Sequence, residues 1–177
     1  SVREGFRPIE EGVHTDFRES MSYADYLDLD RLLAAQHLRS DPPHHDELLF
    51  IVQHQTTELW LKLMLHELRG ARGYLDADHV HHALKCLARV KHIQRTLTEQ
   101  WSVLATLTPS EYAQFRGTLG SASGFQSAQY RAVEFILGNK NEQMLKVFVS
   151  DQAAYAMLAE LLEQPSVYVA FLSFLDR

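Results

Sequence analysis

Apolar residues recur at steps of three and four along most of this chain, which is the spacing of a helix with one buried face. The clearest case is Val80, Leu84, Leu87, Val90, Ile93, Leu97, Trp101 and Leu104, which predicts one long helix over 78–107 with that stripe inward. A second long helix is predicted over 46–70, preceded by the break at Asp41-Pro42-Pro43 and closed by Gly70 and Gly73. Ser22-Tyr23-Ala24-Asp25 fits a capping box and opens a small helix, because hydroxyl and carboxylate can each satisfy a free backbone N–H. Thr108-Pro109-Ser110-Glu111 is a sharper start, with an N-cap threonine, a proline at the first helical position and a glutamate closing the box. That helix ends near Gly120, where Gly120-Ser121-Ala122-Ser123-Gly124 forms a flexible loop. A helix over 127–137 stops at Gly138-Asn139, and two or three shorter ones follow, the last after Pro165. No run alternates as a half-buried strand would. The expected fold is all-α, one helical domain over 1–177 with an irregular arm at 1–20.

Composition narrows the function classes. The chain is 46% hydrophobic and 23% charged, with a mean hydropathy of −0.23, as in ordinary globular proteins. A net charge of −6, with basic residues interspersed among acids as in Glu67-Leu68-Arg69, argues against nucleic acid and anionic membrane as partners. The one cysteine, Cys86, excludes an internal disulfide and reads as a small buried hydrophobe. No apolar run is expected to approach a membrane span, Leu48-Leu49-Phe50-Ile51-Val52 being the longest near the helix start. Ser1-Val2-Arg3-Glu4-Gly5 lacks the apolar core of a signal peptide, so the expected location is the cytoplasm.

Two pairs of residues stand out as candidate chemistry. Phe50 and His54 lie one turn apart on one helix face, an arrangement that can line a pocket for a flat ligand bearing an N–H. Tyr112 and Arg116 repeat that geometry, and a guanidinium matches a carboxylate bidentately. Tyr23, Tyr26 and Leu27 share a face of the first helix. Spacing alone leaves the plainer readings open: a core histidine with a local partner, a surface arginine, and an aromatic stripe for core or subunit contact. His79, His81 and His82 cluster at a helix start without a cysteine or a placed carboxylate to complete a zinc site. His54-Gln55-Thr56-Thr57-Glu58 lacks the second histidine of the zinc-protease motif, and neither a phosphate-cradling glycine loop nor a nucleophile elbow is present.

Several of these segments together resemble one family. Phe50-Ile51-Val52-Gln53-His54-Gln55-Thr56-Thr57-Glu58-Leu59-Trp60 is similar to the histidine-bearing helix of the haem-dependent tryptophan 2,3-dioxygenases. The likeness continues through Leu97-Thr98-Glu99-Gln100-Trp101, Leu107 to Tyr112, Phe115-Arg116, Ser123 to Ser127 and Glu134 to Lys140, with Tyr23 to Leu27 upstream. It implies a helical homotetramer that opens the indole ring of L-tryptophan with O₂ to give N-formyl-L-kynurenine, the first step of tryptophan catabolism. By the same resemblance His54 is the catalytic distal histidine, hydrogen-bonding the indole N–H, and Arg116 binds the substrate carboxylate. Phe50, Ile51, Val52, Gln53 and Tyr112 fall in the substrate-binding set, and Tyr23, Tyr26 and Leu27 close a neighbouring subunit's pocket. Trp101, Ser123 and Gly124 lie by haem b and its iron. Indoleamine dioxygenases lack the distal histidine, so His54 favours the tryptophan-specific branch.

Family members are longer, and their proximal histidine and ammonium-contacting threonine lie on later segments that none of the residues after Glu163-Gln164-Pro165-Ser166 matches. The expectation is therefore the N-terminal part of a longer enzyme, which as it stands binds haem weakly and lacks normal turnover. Two alternatives accompany it: a haem-free helical homologue serving assembly or indole binding, and a related haem enzyme acting on a modified tryptophan or tyrosine.

Overall fold

The structure is a computed structural model and describes residues 5, 8–16 and 20–177. Of the expected N-terminal arm, residues 1–4, 6–7 and 17–19 lie outside the described residues. Every regular element among the described residues is helical. The chain forms two compact units, Ser1–His37 and Leu38–Arg177.

In the first unit, α1 (Tyr23–Leu27) starts on the expected box: Asp25 N–H donates to Ser22 Oγ at 3.1 Å, and Ser22 N–H to Asp25 Oδ2 at 3.2 Å. The predicted single helix is in fact two. Asp28 adopts φ 51°, a left-handed conformation that aspartate tolerates better than most residues, and α2 (Leu29–Leu33) begins beyond it. Tyr23 and Tyr26 are about three-quarters exposed.

In the second unit, α3 (Glu47–Asp76) is the spine. It buries Leu61, Met64, Leu65, Leu68, Ala71 and Leu75, one stripe at helical spacing. Against it pack α4 (Val80–Glu99), the short α5 (Trp101–Leu104), α7 (Ala128–Leu137) and α9 (Val167–Leu175), while α8 (Gln152–Glu163) lies on α7. The core is completed by Val90 and Ile93 of α4, Phe135 and Ile136 of α7, and Leu158 and Leu161 of α8. Three-residue-per-turn segments occupy Gly117–Leu119, Gly124–Gln126 and Glu142–Phe148. Between α5 and α7 stands α6 (Pro109–Arg116), started by the predicted Thr108–Glu111 box.

The sequence reading of both long helices needs correction. α3 runs six residues past Gly70. A helical glycine costs about 1 kcal/mol against alanine, whereas burying a leucine gains roughly 1.5–3 kcal/mol, so Ala71 and Leu75 carry the helix on. The helix expected over 78–107 starts at Val80, because Asp78 at φ 59° is left-handed, and it is interrupted at Gln100. Its buried stripe uses Ala83 rather than Leu84, which is half exposed, and Trp101 is 61% exposed. Cys86 is only partly buried; burial and the neighbouring Glu67 push its thiol up.

Contrary to the expectation of no span-length apolar run, Gln152–Leu175 reaches a mean hydropathy of 1.2 over an 18-residue window. The stretch Gln152–Leu175 is not one helix. Gln164-Pro165-Ser166 divides it into α8 and α9, and the Lys140 ammonium donates to the carbonyls of Leu162 and Gln164 at the break. Its apolar faces build core with α3 and α7.

Candidate functional site

The face of α3 that carries Phe50 and His54 looks into two adjoining hollows. Phe50, His54 and Glu58 repeat every fourth residue, so they stack along one side of the helix. The first hollow, about 320 Å³, lies between these residues and the chain from Leu119 through Ser123 and Gly124 to Ser127. The second, about 250 Å³, is floored by Gln53, Thr57 and Leu61 and walled by Leu97, Trp101, Leu104 and Tyr130. His54, Glu58, Gly124 and Ser127 line both. Among the described residues lining them, His54 is the one histidine.

His54 Nδ1 lies 2.7 Å from the carbonyl oxygen of Phe50, one turn back. A carbonyl only accepts, so Nδ1 carries the proton, and Nε2 of the neutral ring is left as an acceptor. The local-partner reading of this histidine is thus correct for Nδ1, yet the ring is exposed at the seam of the hollows and not buried in the core. Its orientation is held further by Phe50, whose ring centroid is 4.1 Å away. Phe50 in turn stacks on Tyr112 at 5.7 Å and meets the fully buried Phe115 edge-on at 5.8 Å. His44 closes this aromatic group from the other side, 5.5 Å from Phe115.

Thus α6 is joined to α3 through Tyr112 and Phe115. Arg116, one residue further, lines neither hollow: its Nη1 donates to Gly120 O at 3.1 Å, bracing the start of the loop that walls the first. That bond uses one of the five guanidinium N–H groups and leaves a fork available. Ile51 and Val52 line neither hollow, while the buried Gln53 floors the second and its carbonyl accepts the Thr56 and Thr57 hydroxyls. Trp101 walls the second hollow, Ser123 the first and Gly124 both. Ser123 caps its own turn, accepting from Phe125 N–H at 3.3 Å. The stripe of Tyr23, Tyr26 and Leu27 belongs to the other unit, with its side chains exposed.

Among the lining residues that the sequence reading gave no site role are Thr57, Glu58, Gln100, Ser127 and Tyr130. Glu58 had a signal, since it continues the Phe50/His54 register by one more turn. Ser127 closes the resembling segment Ser123 to Ser127, whereas Tyr130 had no signal, because only the return of α7 along α3 brings it there. The rings of His79 and His82 do share a face, 5.9 Å apart, with Tyr74 at 5.2 Å from His82.

Residues 9–168 match the model of a family described as tryptophan 2,3-dioxygenase. A tryptophan 2,3-dioxygenase of Kineococcus radiotolerans is 67% identical over 177 residues, all of this chain and 62% of the relative. One of Rhodococcus jostii is 65% identical over 176 residues, 99% of this chain and 62% of the relative. One of Serratia proteamaculans is 58% identical over 171 residues, 97% of this chain and 61% of the relative. The chain therefore spans about 62% of the length of these curated relatives.

Proposed function

The chain belongs to the tryptophan 2,3-dioxygenase family, and on that premise we propose that its two hollows form the substrate side of a haem-dependent dioxygenase opening the indole ring of L-tryptophan. The observation that carries this reading is His54 at the seam of both hollows, with Nδ1–H fixed on Phe50 O and Nε2 left to accept.

In the first hollow an indole would lie against Phe50 and offer its N–H to His54 Nε2. The indole N–H is a far weaker acid than imidazolium, so His54 orients and polarises it without removing the proton beforehand. Tyr112 and Phe115 keep Phe50, and through it the imidazole, from turning away. Arg116 holds the substrate carboxylate with the N–H groups not given to Gly120 O, at the cost of a small rearrangement. An analogue lacking the carboxylate leaves that charge unpaired and is rejected.

The second hollow fits one face of a haem. Its lining includes the apolar Leu61, Leu97, Leu104 and Trp101, and a Cβ placed on Gly124 would project into open space, so a flat ring can approach the backbone there. Trp101, Leu97 and Gly124 would hold it, and when bound the haem supplies the iron at which O₂ is activated. The exposed Tyr23, Tyr26 and Leu27 support assembly into a homotetramer in which this stripe closes a neighbour's site.

The test, made in the complete enzyme that carries these residues, is a hemin titration followed by L-tryptophan. A Soret band that shifts on adding L-tryptophan, and both atoms of isotopically labelled O₂ in the ring-opened product of the reduced enzyme, are the expected results. A Soret band indifferent to L-tryptophan, or one label exchanged with water at the moment of ring opening, overturns the proposal.

A further inference from the structure

Glu58 has no part in the chemistry above, yet it touches the wall between the hollows on both sides. Its Oε1 accepts from Ser127 Oγ at 2.6 Å, and its Oε2 from Gln129 Nε2 at 2.9 Å. The same Gln129 amide donates to Glu58 O at 2.8 Å, so side chain and backbone of one residue on α3 are gripped together. Ser127 is meanwhile the N-cap of α7, its Oγ accepting from Tyr130 N–H at 3.1 Å. One hydroxyl thus starts α7 and moors it to α3. The chain between Gly120 and Ser127 is held otherwise by the Arg116 bond to Gly120 O, its own Ser123–Gln126 box and the Arg131 guanidinium 5.5 Å over Phe125; Phe125 is 65% exposed, and no residue from 120 to 126 is buried.

We infer that Glu58 is a positioning residue, an anionic clamp that fixes the Ser123–Ser127 chain against α3 and thereby sets how far Gly124 stands from His54. The geometry suits a carboxylate: three acceptor contacts from two side chains need both oxygens and the adjacent carbonyl, and bonds to an ionised acceptor are roughly twice as strong as neutral ones. It also suits the place, because Glu58 follows His54 by one turn on the same helix, so the imidazole and the loop share one reference. The effect on ligands rests on the reading of the hollows given above; the clamp itself does not.

Three variants test it: Glu58→Ala removes the clamp, Glu58→Gln keeps one acceptor for Ser127, and Ser127→Asp keeps a cap for Tyr130 N–H while opposing two carboxylates. Amide hydrogen exchange is read by segment, without cofactor. Losing charge-assisted bonds of this kind should speed exchange over 121–127 by about tenfold in Glu58→Ala and Ser127→Asp, and by less in Glu58→Gln, with α7 residues 132–136 unchanged. Unchanged exchange at 121–127, or an equal rise throughout α3 and α7, overturns the clamp. A second readout is the hemin dissociation constant, expected to rise about tenfold in the same order of variants. Faster loop exchange with an unaltered hemin constant overturns the positioning role. Should the unsubstituted protein take up no hemin, the exchange data alone decide the clamp, and the failure belongs to the functional reading.

Discussion

His54 shows how a single local bond decides what a side chain can offer a ligand. With Nδ1–H on Phe50 O, the ring presents an acceptor, which suits an N–H donor and not an oxyanion. In the complete enzyme, and on the proposed function, replacing it by alanine should lower turnover of L-tryptophan by about 100-fold or less, since orientation and polarisation are lost but no obligatory base is. Complete loss in steady-state assays would mean that proton removal is essential. Arg116→Ala should act differently, raising KM for L-tryptophan about 10- to 100-fold through the lost charged hydrogen bonds, while a decarboxylated analogue, which no longer leaves a charge unpaired, is accepted better than before. Glu47 teaches the same lesson for stability. It is 1% exposed; burial pushes its carboxyl up, but the Ser40 hydroxyl, the Arg39 and Ser40 amides and nearby His44 outweigh burial and hold it below its ordinary value. Its folded-state value is the lower one, so the stabilisation is full above the unfolded carboxylate range and is lost as pH falls through the folded value. Glu47→Gln should therefore cost about 1–3 kcal/mol at neutral pH in urea unfolding, and the gap from the unsubstituted protein should close on acidification.

At the scale of elements, short capped helices deliver the site. α6 is eight residues long and buries only Phe115, so its own packing holds it weakly and its start matters. Thr108 accepts from Glu111 N–H at 3.3 Å, and Glu111 returns the bond from Thr108 N–H at 2.8 Å, which draws its carboxyl below the usual range. Thr108→Ala should cost about 1 kcal/mol in thermal unfolding and loosen Tyr112 and Arg116 together, seen as a higher KM for L-tryptophan with kcat little altered. The cap was legible in four residues because every group in it is local. The ends of α3 and α4 were not, since their continuation past Gly70 and interruption at Gln100 depend on what each turn buries against its neighbours.

For the molecule as a whole, the exposed aromatic stripe of α1 is the feature that a single chain leaves unexplained. Two tyrosines about three-quarters exposed, one turn apart, suit contact with another copy. Tyr26→Asp should lower the mass found by light scattering in solution, with the melting of a dilute monomer changed by no more than about 0.5 kcal/mol. An unaltered mass distribution would remove the stripe from the proposed assembly.

Sequence alone determined that this protein is helical, where its local caps fall and which segments match the family, because periodicity, capping boxes and motif spacing act over a few residues. Tertiary structure decided the rest. It sent Trp101 outward, drew Glu58, Ser127 and Tyr130 into the walls, and turned the Arg116 guanidinium onto Gly120 O, outside the hollows. The placing of Ser127 and Tyr130 beside Glu58 depends on distant residues meeting across α3, Ser127 and Glu58 being 69 positions apart, and no local pattern encodes such a meeting.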